Sequence, residues 1–166
     1  MTETPNPNIV DADTLTGEMR PIRRCVVSLG SNLGDRLAKL QGAVDSPAEA
    51  KQFLNAVVLI DTTLPAATLL DRALAIEDAF DRVRPAERNA PRTLDVDLIV
   101  VGDRRSDDDF LKLPHPRARE RAFVLKPWHD LEPDAVLPDA GPVADLLAAA
   151  DQSGMTRRDD LSLETQ

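Results

Sequence analysis

Arg92-Thr93-Leu94-Asp95-Val96-Asp97-Leu98-Ile99-Val100-Val101 reads as a strand with two unlike faces. Side chains alternate along a strand, which places Asp95 and Asp97 together and Leu94, Val96, Leu98 and Val100 on the other side. Like charges at neighbouring same-face positions repel each other and lose hydration. A divalent cation removes that objection, and Mg²⁺ is commonly held by one or two carboxylates together with substrate phosphates. A solvated strand face accounts for Asp-x-Asp equally well without any ligand.

Cations flank the acidic pair on both sides. Arg82, Arg84, Arg88 and Arg92 lie upstream, and His115, Arg117, Arg119 and Arg121 follow a loop downstream, in a chain of formal charge -9. Guanidinium forks beside metal-binding carboxylates suit a polyphosphate, because arginine offers paired planar donors and the metal bridges phosphate oxygens. Each arginine taken singly is accounted for as solvated surface.

Composition narrows the function classes. The 166 residues suffice for one domain with a buried core. Acidic character and an aromatic content of 3% argue against a nucleic-acid binder, which needs a basic face and stacking platforms. The expected partner is a small molecule. Cys25 is alone and lies in an apolar run, so a buried thiol is expected rather than a nucleophile. No apolar run approaches the roughly 20 residues of a membrane span, and no signal-peptide pattern opens the chain. The expectation is a soluble, cytoplasmic monomer.

Three regions follow from the order of the chain: a polar, flexible extension over 1–21, a domain over 22–150 and a polar tail over 151–166. Cys25 to Leu29 reads as a buried strand that ends at Gly30. Ser31 or Asn32 then caps a helix whose buried stripe is Leu33, Leu37, Leu40 and Val44. The Gly-Lys-Ser/Thr ending of a phosphate loop is absent. Phe53 to Ile60 is a second strand in which Asn55 is the lone polar side chain, either a ligand contact or the end of a ladder.

Thr62 or Thr63 should cap a helix near Pro65 that buries Leu69, Leu70, Ala73, Ile76 and Phe80, with Glu77 near its end. Asp81 to Pro91 reads as a loop carrying arginines to the mouth of the acidic strand, in the manner of a lid. Gly102-Asp103 forms a turn, and Arg104 to Asp109 is charged surface. His115, framed by Pro114 and Pro116, has a stiff backbone suited to presenting a donor, although a proline turn alone accounts for it. Trp128 belongs with core packing, and Pro142 to Ala150 forms a short helix.

Taken together, Val27 to Arg36, Phe53 to Val57, Arg82-Val83-Arg84, Pro91 to Asp97, Leu113 to Pro116 and Arg121 to Leu125 resemble the 6-hydroxymethyl-7,8-dihydropterin pyrophosphokinases of folate biosynthesis. The resemblance spans about Val26 to Pro138, in the family's order. It implies an α/β (α+β) ferredoxin-like sandwich, with helices packed on a mainly antiparallel sheet. It further implies transfer of diphosphate from ATP to a hydroxymethyl dihydropterin, with AMP released. By that likeness Asp95 and Asp97 hold two Mg²⁺, and Arg82 and Arg92 act in catalysis with them. Leu70, Glu77, Arg84, Arg88, Leu98, Leu111, His115 and Arg121 would contact ATP, and Asn55 and Phe123 would bind the pterin.

The chain also departs from the family pattern. Asp45 to Gln52 stands where the family has an edge strand and a loop that closes on the pterin. Those residues reach at most roughly 26 to 29 Å when extended, enough to span a strand of about 17 to 20 Å with little left for a lid. Asn89 replaces an aromatic residue, Asp81 stands in place of glycine, and Pro116 follows His115. Two rivals therefore accompany the enzyme reading. One is a catalytically impaired nucleotide-binding homologue that lost its pterin-closing loop. The other is a different metal-dependent phosphoryl or nucleotidyl transferase sharing only the carboxylate pair.

Overall fold

The computed structural model describes Asp13, residues 20–31, 54–82, 94–161 and Leu163, with only the backbone of 80–82. The expected helix through Leu33 and Val44, the Asp45 to Gln52 link, Phe53, and Arg84, Arg88, Asn89 and Arg92 lie outside the described residues. So does the side chain of Arg82.

The central strand is β1 (Arg23–Ser31), with β2 (Leu54–Thr62) and β3 (Asp95–Val101) antiparallel on its two sides. Helix α1 (Ala66–Arg82) covers one face of this sheet through Ala66 and Leu69, against Cys25, Val27, Leu98 and Val101. The other face packs Val26, Val57, Ile99 and Val100 against α2 (Ala122–Leu131) and α3 (Val143–Ala149), with Val124, Leu125, Trp128, Val143 and Leu147 facing inward. Two short hairpins complete it, β4 (Ser106–Asp107) with β5 (Lys112–Leu113) and β6 (Val136–Leu137) with β7 (Gly141–Pro142). An antiparallel sheet carrying helices agrees with the ferredoxin-like α+β sandwich implied by the resemblance. No described helix is long and apolar enough to cross a membrane.

Several details differ from the expectation. β1 continues through Gly30 to Ser31, because Gly30 pairs with Asn55 on one side and Asp95 on the other. The alternation of β3 fails after Leu98: Val27 pairs with Leu98 and Val26 with Val100, leaving Ile99 as an extra residue. A bulge of this kind sets two residues opposite one and shifts everything beyond it to the other face. Val100 therefore joins Val26 and Val57 on the carboxylate side of the sheet, while Val101 joins Leu98 beneath α1.

Helix α1 also runs on through Asp81 and Arg82, where a loop was expected. Ile76 is exposed, since the inward line passes through Ala66, Leu69, Ala73 and then Glu77. Thr62 and Thr63 do not cap α1. The Thr62 hydroxyl accepts from the Leu64 N–H at 3.1 Å, whereas the Ala66 N–H donates to the Asp13 carboxylate at 3.2 Å.

Cys25 and Trp128 are buried, as composition and context suggest. Burial pushes the Cys25 thiol above its ordinary pKa, which keeps it protonated and inert. The Trp128 indole N–H donates to Glu132 at 3.1 Å, so its one polar atom is satisfied.

Truncating Ile99, which has 0% exposure, to alanine should cost about 2–5 kcal/mol in denaturant unfolding. Phe110→Ala, at a side chain 90% exposed, should stay within about 0.5 kcal/mol of the parent.

Candidate functional site

Residues facing each other across an antiparallel pair share a sheet face, so the register assembles the site. Asn55, Gly30 and Asp95 form one row across β2, β1 and β3; Val57, Ser28 and Asp97 form the next. Asp95 and Asp97 therefore sit on one face with their Cα atoms roughly 7 Å apart along the strand, and Asn55 lies in line with Asp95. Gly30 is what lets that row close up. A Cβ built on it would lie 3.2 Å from the Asn55 Oδ1, so the amide already occupies the space that a side chain would take.

Cationic groups meet Asp97 from the start of α2. The Arg121 guanidinium lies 3.9 Å from the Asp97 carboxylate, and its Cζ stands 5.5 Å from the centroid of the Phe123 ring. One side chain thus touches a proposed metal ligand and a proposed pterin-stacking ring. Phe123 is 37% exposed although its helix neighbours Ala122 and Val124 are buried, so part of it stays accessible beside Arg121.

His115 arrives by way of the bulge. Its backbone N–H donates to the Ile99 carbonyl at 2.8 Å, in a segment where the Leu113–Pro114 peptide is cis. The Arg117 N–H donates to His115 Nδ1 at 3.2 Å, which leaves the ring proton on Nε2. Burial lowers the pKa of His115 below 6.5; the Asp97 carboxylate opposes this, and Arg121 and Arg117 reinforce it. His115 is therefore a neutral donor near pH 7, beside Asp97 rather than paired with it.

Glu77 reaches the same strand from the α1 side. Its Oε1 accepts from the Val96 N–H at 2.8 Å, between the two aspartates in sequence. This carboxylate holds the backbone that carries Asp95 and Asp97. Leu70, Leu98 and Leu111, the apolar residues inferred for the nucleotide pocket, gather in the α1 layer; Leu98 is buried and the other two are partly buried. Those inferred ATP residues that the structure describes thus lie on both sides of β3, and Glu77 bridges toward its backbone.

Sequence reasoning missed Ser28 and Gly30 as neighbours of the acids. Continuing the strand past Gly30 would have found them, since Ser28 and Gly30 share a face two residues apart. Among the described residues no three acidic, histidine or cysteine side chains form a metal cluster. Two partly solvated carboxylates on one sheet face nevertheless fit an ion whose other ligands are phosphate oxygens and water, the usual arrangement for Mg²⁺.

The His115 ring resonance should titrate below 6.5 by NMR, and Asp97→Asn should lower that midpoint further by removing the favourable charge. Because the unfolded chain binds the proton more readily, His115 adds no penalty above about pH 6.5 and an increasing one as pH falls below it. Replacing it with glutamine should flatten the stability loss in that window in denaturant titrations at stepped pH.

Comparison with known proteins identifies the family. The family model described as 7,8-dihydro-6-hydroxymethylpterin-pyrophosphokinase matches residues 44–133, a span that includes Asn55, Asp95, Asp97, His115 and Phe123. The chain is similar to the 2-amino-4-hydroxy-6-hydroxymethyldihydropteridine pyrophosphokinase of Pseudomonas aeruginosa, 38% identical over 158 residues, covering 82% of this chain and 97% of that protein. The Methylorubrum extorquens protein of that name is 38% identical over 156 residues, covering 81% and 98%. Its Mycobacterium tuberculosis counterpart is 42% identical over 156 residues, covering 75% and 82%. In the first of these the aligned length exceeds the part of this chain that it covers, so that relative carries residues this chain lacks. With a family model matched over more than half its length and relatives at this identity, the chain belongs to the 7,8-dihydro-6-hydroxymethylpterin-pyrophosphokinase family.

Proposed function

We propose that this chain transfers diphosphate from ATP to the hydroxymethyl oxygen of 6-hydroxymethyl-7,8-dihydropterin in folate biosynthesis. The observation that carries this reading is the row geometry: Asn55 in line with Asp95, and Asp97 beside Arg121 and His115, inside the span that matches the family. The relatives' names support the active enzyme over the impaired homologue, since those compared above all carry the name of a pyrophosphokinase.

The pterin hydroxyl oxygen forms a bond to the β phosphorus, the bond from that phosphorus to the α,β-bridging oxygen breaks, and AMP leaves with that oxygen while the hydroxyl proton is released. Such a transfer depends on alignment and on stabilising charge at the phosphoryl oxygens. Asp95 and Asp97 would hold Mg²⁺, two ions by the likeness, and the metal when bound neutralises phosphate charge. Arg121 and neutral His115 donate to the nucleotide's phosphates. Arg82 and Arg92 stabilise the transferred group, and Arg84 and Arg88 grip ATP. Asn55 offers its amide to the polar edge of the pterin while Phe123 stacks on the ring. Leu70, Leu98 and Leu111 give the base an apolar wall, and Glu77 holds β3 in place.

Calorimetric titration should show magnesium-dependent binding of a non-hydrolysable ATP analogue, weakened more than tenfold by Asp95→Ala with Asp97→Ala. Addition of the pterin should yield AMP rather than ADP. Full nucleotide affinity without turnover would favour the binding-only homologue, and ADP as product would favour an ordinary kinase. Gly30→Ala should displace the Asn55 amide by a few tenths of an ångström. Steady-state kinetics should then show the KM for pterin rising several-fold while that for ATP stays near the parent value.

A further inference from the structure

Asp13 belongs to the polar stretch that composition marks as a flexible extension, yet its side chain is only 12% exposed. It is the meeting point of three elements. Its carboxylate pairs with Arg23 at the start of β1, a guanidinium whose side chain is 7% exposed, and with Arg104 just beyond β3, at 3.0 Å. The same carboxylate accepts the N–H of Ala66, the first residue of α1, and Arg23 also donates to the Leu64 carbonyl at 2.9 Å. The Arg23 stem lies against Gly102 in the turn after β3, where a Cβ would come within 3.1 Å of its Cδ.

The charges explain why an acid is required there. Two guanidinium groups and the N-terminal end of α1, itself a region of partial positive charge, converge on one enclosed point. Without Asp13 these would repel one another with little water to screen them, and a buried cation stripped of its partner is strongly unfavourable.

What that junction sets is found further along α1, at Glu77. From Ala66 to Glu77 the helix advances roughly 16 Å, and from Val101 back to Val96 the strand covers nearly the same distance, roughly 17 Å. The two elements run side by side in opposite directions and are fastened at two places: by Asp13 at the start of α1, and by the Glu77 bond to the Val96 N–H about three turns on. A slip or tilt of α1 at the Asp13 end therefore reaches Glu77 and the backbone between Asp95 and Asp97.

We propose that Asp13 is a positioning residue for diphosphoryl transfer: it clasps the start of α1 to the ends of β1 and β3 and so keeps Glu77 seated on Val96 beneath the aspartate pair. The role in transfer rests on the function proposed above, while the seating of Glu77 does not.

The experiment compares the parent chain with Asp13→Asn and with Arg104→Gln, which weakens the same junction from a side chain 31% exposed and retains the Asp13–Arg23 pair. Amide exchange at Val96, referenced to Val26 in the central strand, is measured by NMR well below the melting temperature, alongside kcat and KM. Asp13→Asn should speed Val96 exchange at least tenfold relative to Val26 and lower kcat several-fold with a smaller change in the KM for ATP. Arg104→Gln should move each quantity in the same direction by less, and it carries the test if the first variant does not fold. A lowered melting temperature with unchanged relative Val96 exchange would make Asp13 a brace of the fold alone and overturn the proposal, as would parent-like values throughout. If the parent chain releases no AMP, the function proposed above fails, and Val96 exchange still decides whether Asp13 seats Glu77.

Discussion

The antiparallel pairing of β3 with β1, interrupted once at Ile99, is the constraint on which the rest depends. Before the interruption the pairing brings Asp95 opposite Gly30 and Asp97 opposite Ser28, which aligns the acids with Asn55 on the far strand. After it the strand has changed face, so Val100 enters the core beneath α2 and α3. The extra residue also offers its carbonyl to the His115 N–H. One inserted residue thus allows the same short strand to present charge at one end, to fill both cores at the other, and to dock the loop that brings His115 beside Asp97.

Around that strand the site's groups divide by their work. Asp95 and Asp97 offer negative charge, Arg121 and His115 offer donors, and Phe123 offers an aromatic surface. Glu77 points at the backbone, where it anchors the edge of the strand. Neutrality of His115 matters in this company, because a second cation next to Arg121 would compete with any metal for Asp97. Burial keeps it uncharged despite the carboxylate. Exposed pairs such as Arg24 with Asp61 and Glu132 lie away from these groups and add little to stability.

Much of this was legible in the residues. The acidic pair, the polar Asn55 in an apolar strand, the buried Cys25 and Trp128, and the helices near Pro65 and Pro142 follow from periodicity and turn chemistry. What escaped is whatever depends on partners distant in sequence. Alternation cannot reveal a bulge, because Leu98-Ile99-Val100-Val101 is apolar at every position and fits either face. Capping rules favour the nearest Thr, and α1 instead uses a carboxylate from 53 residues upstream. Ile76 looked as suitable for burial as its neighbours, yet the helix turned Glu77 inward because the edge of the sheet there needed an acceptor for Val96.

The buried Asp13 has a practical consequence for where the folded unit begins. Hydropathy and proline content would set the boundary at about residue 21, and trimming the polar leader to obtain a tidier protein would look harmless. That cut would remove an internal counter-ion and a helix cap in one stroke, leaving the buried Arg23 without its carboxylate and taking one partner from Arg104. The minimal autonomous unit therefore has to be defined by charge balance inside the fold as well as by the hydrophobic pattern along the chain.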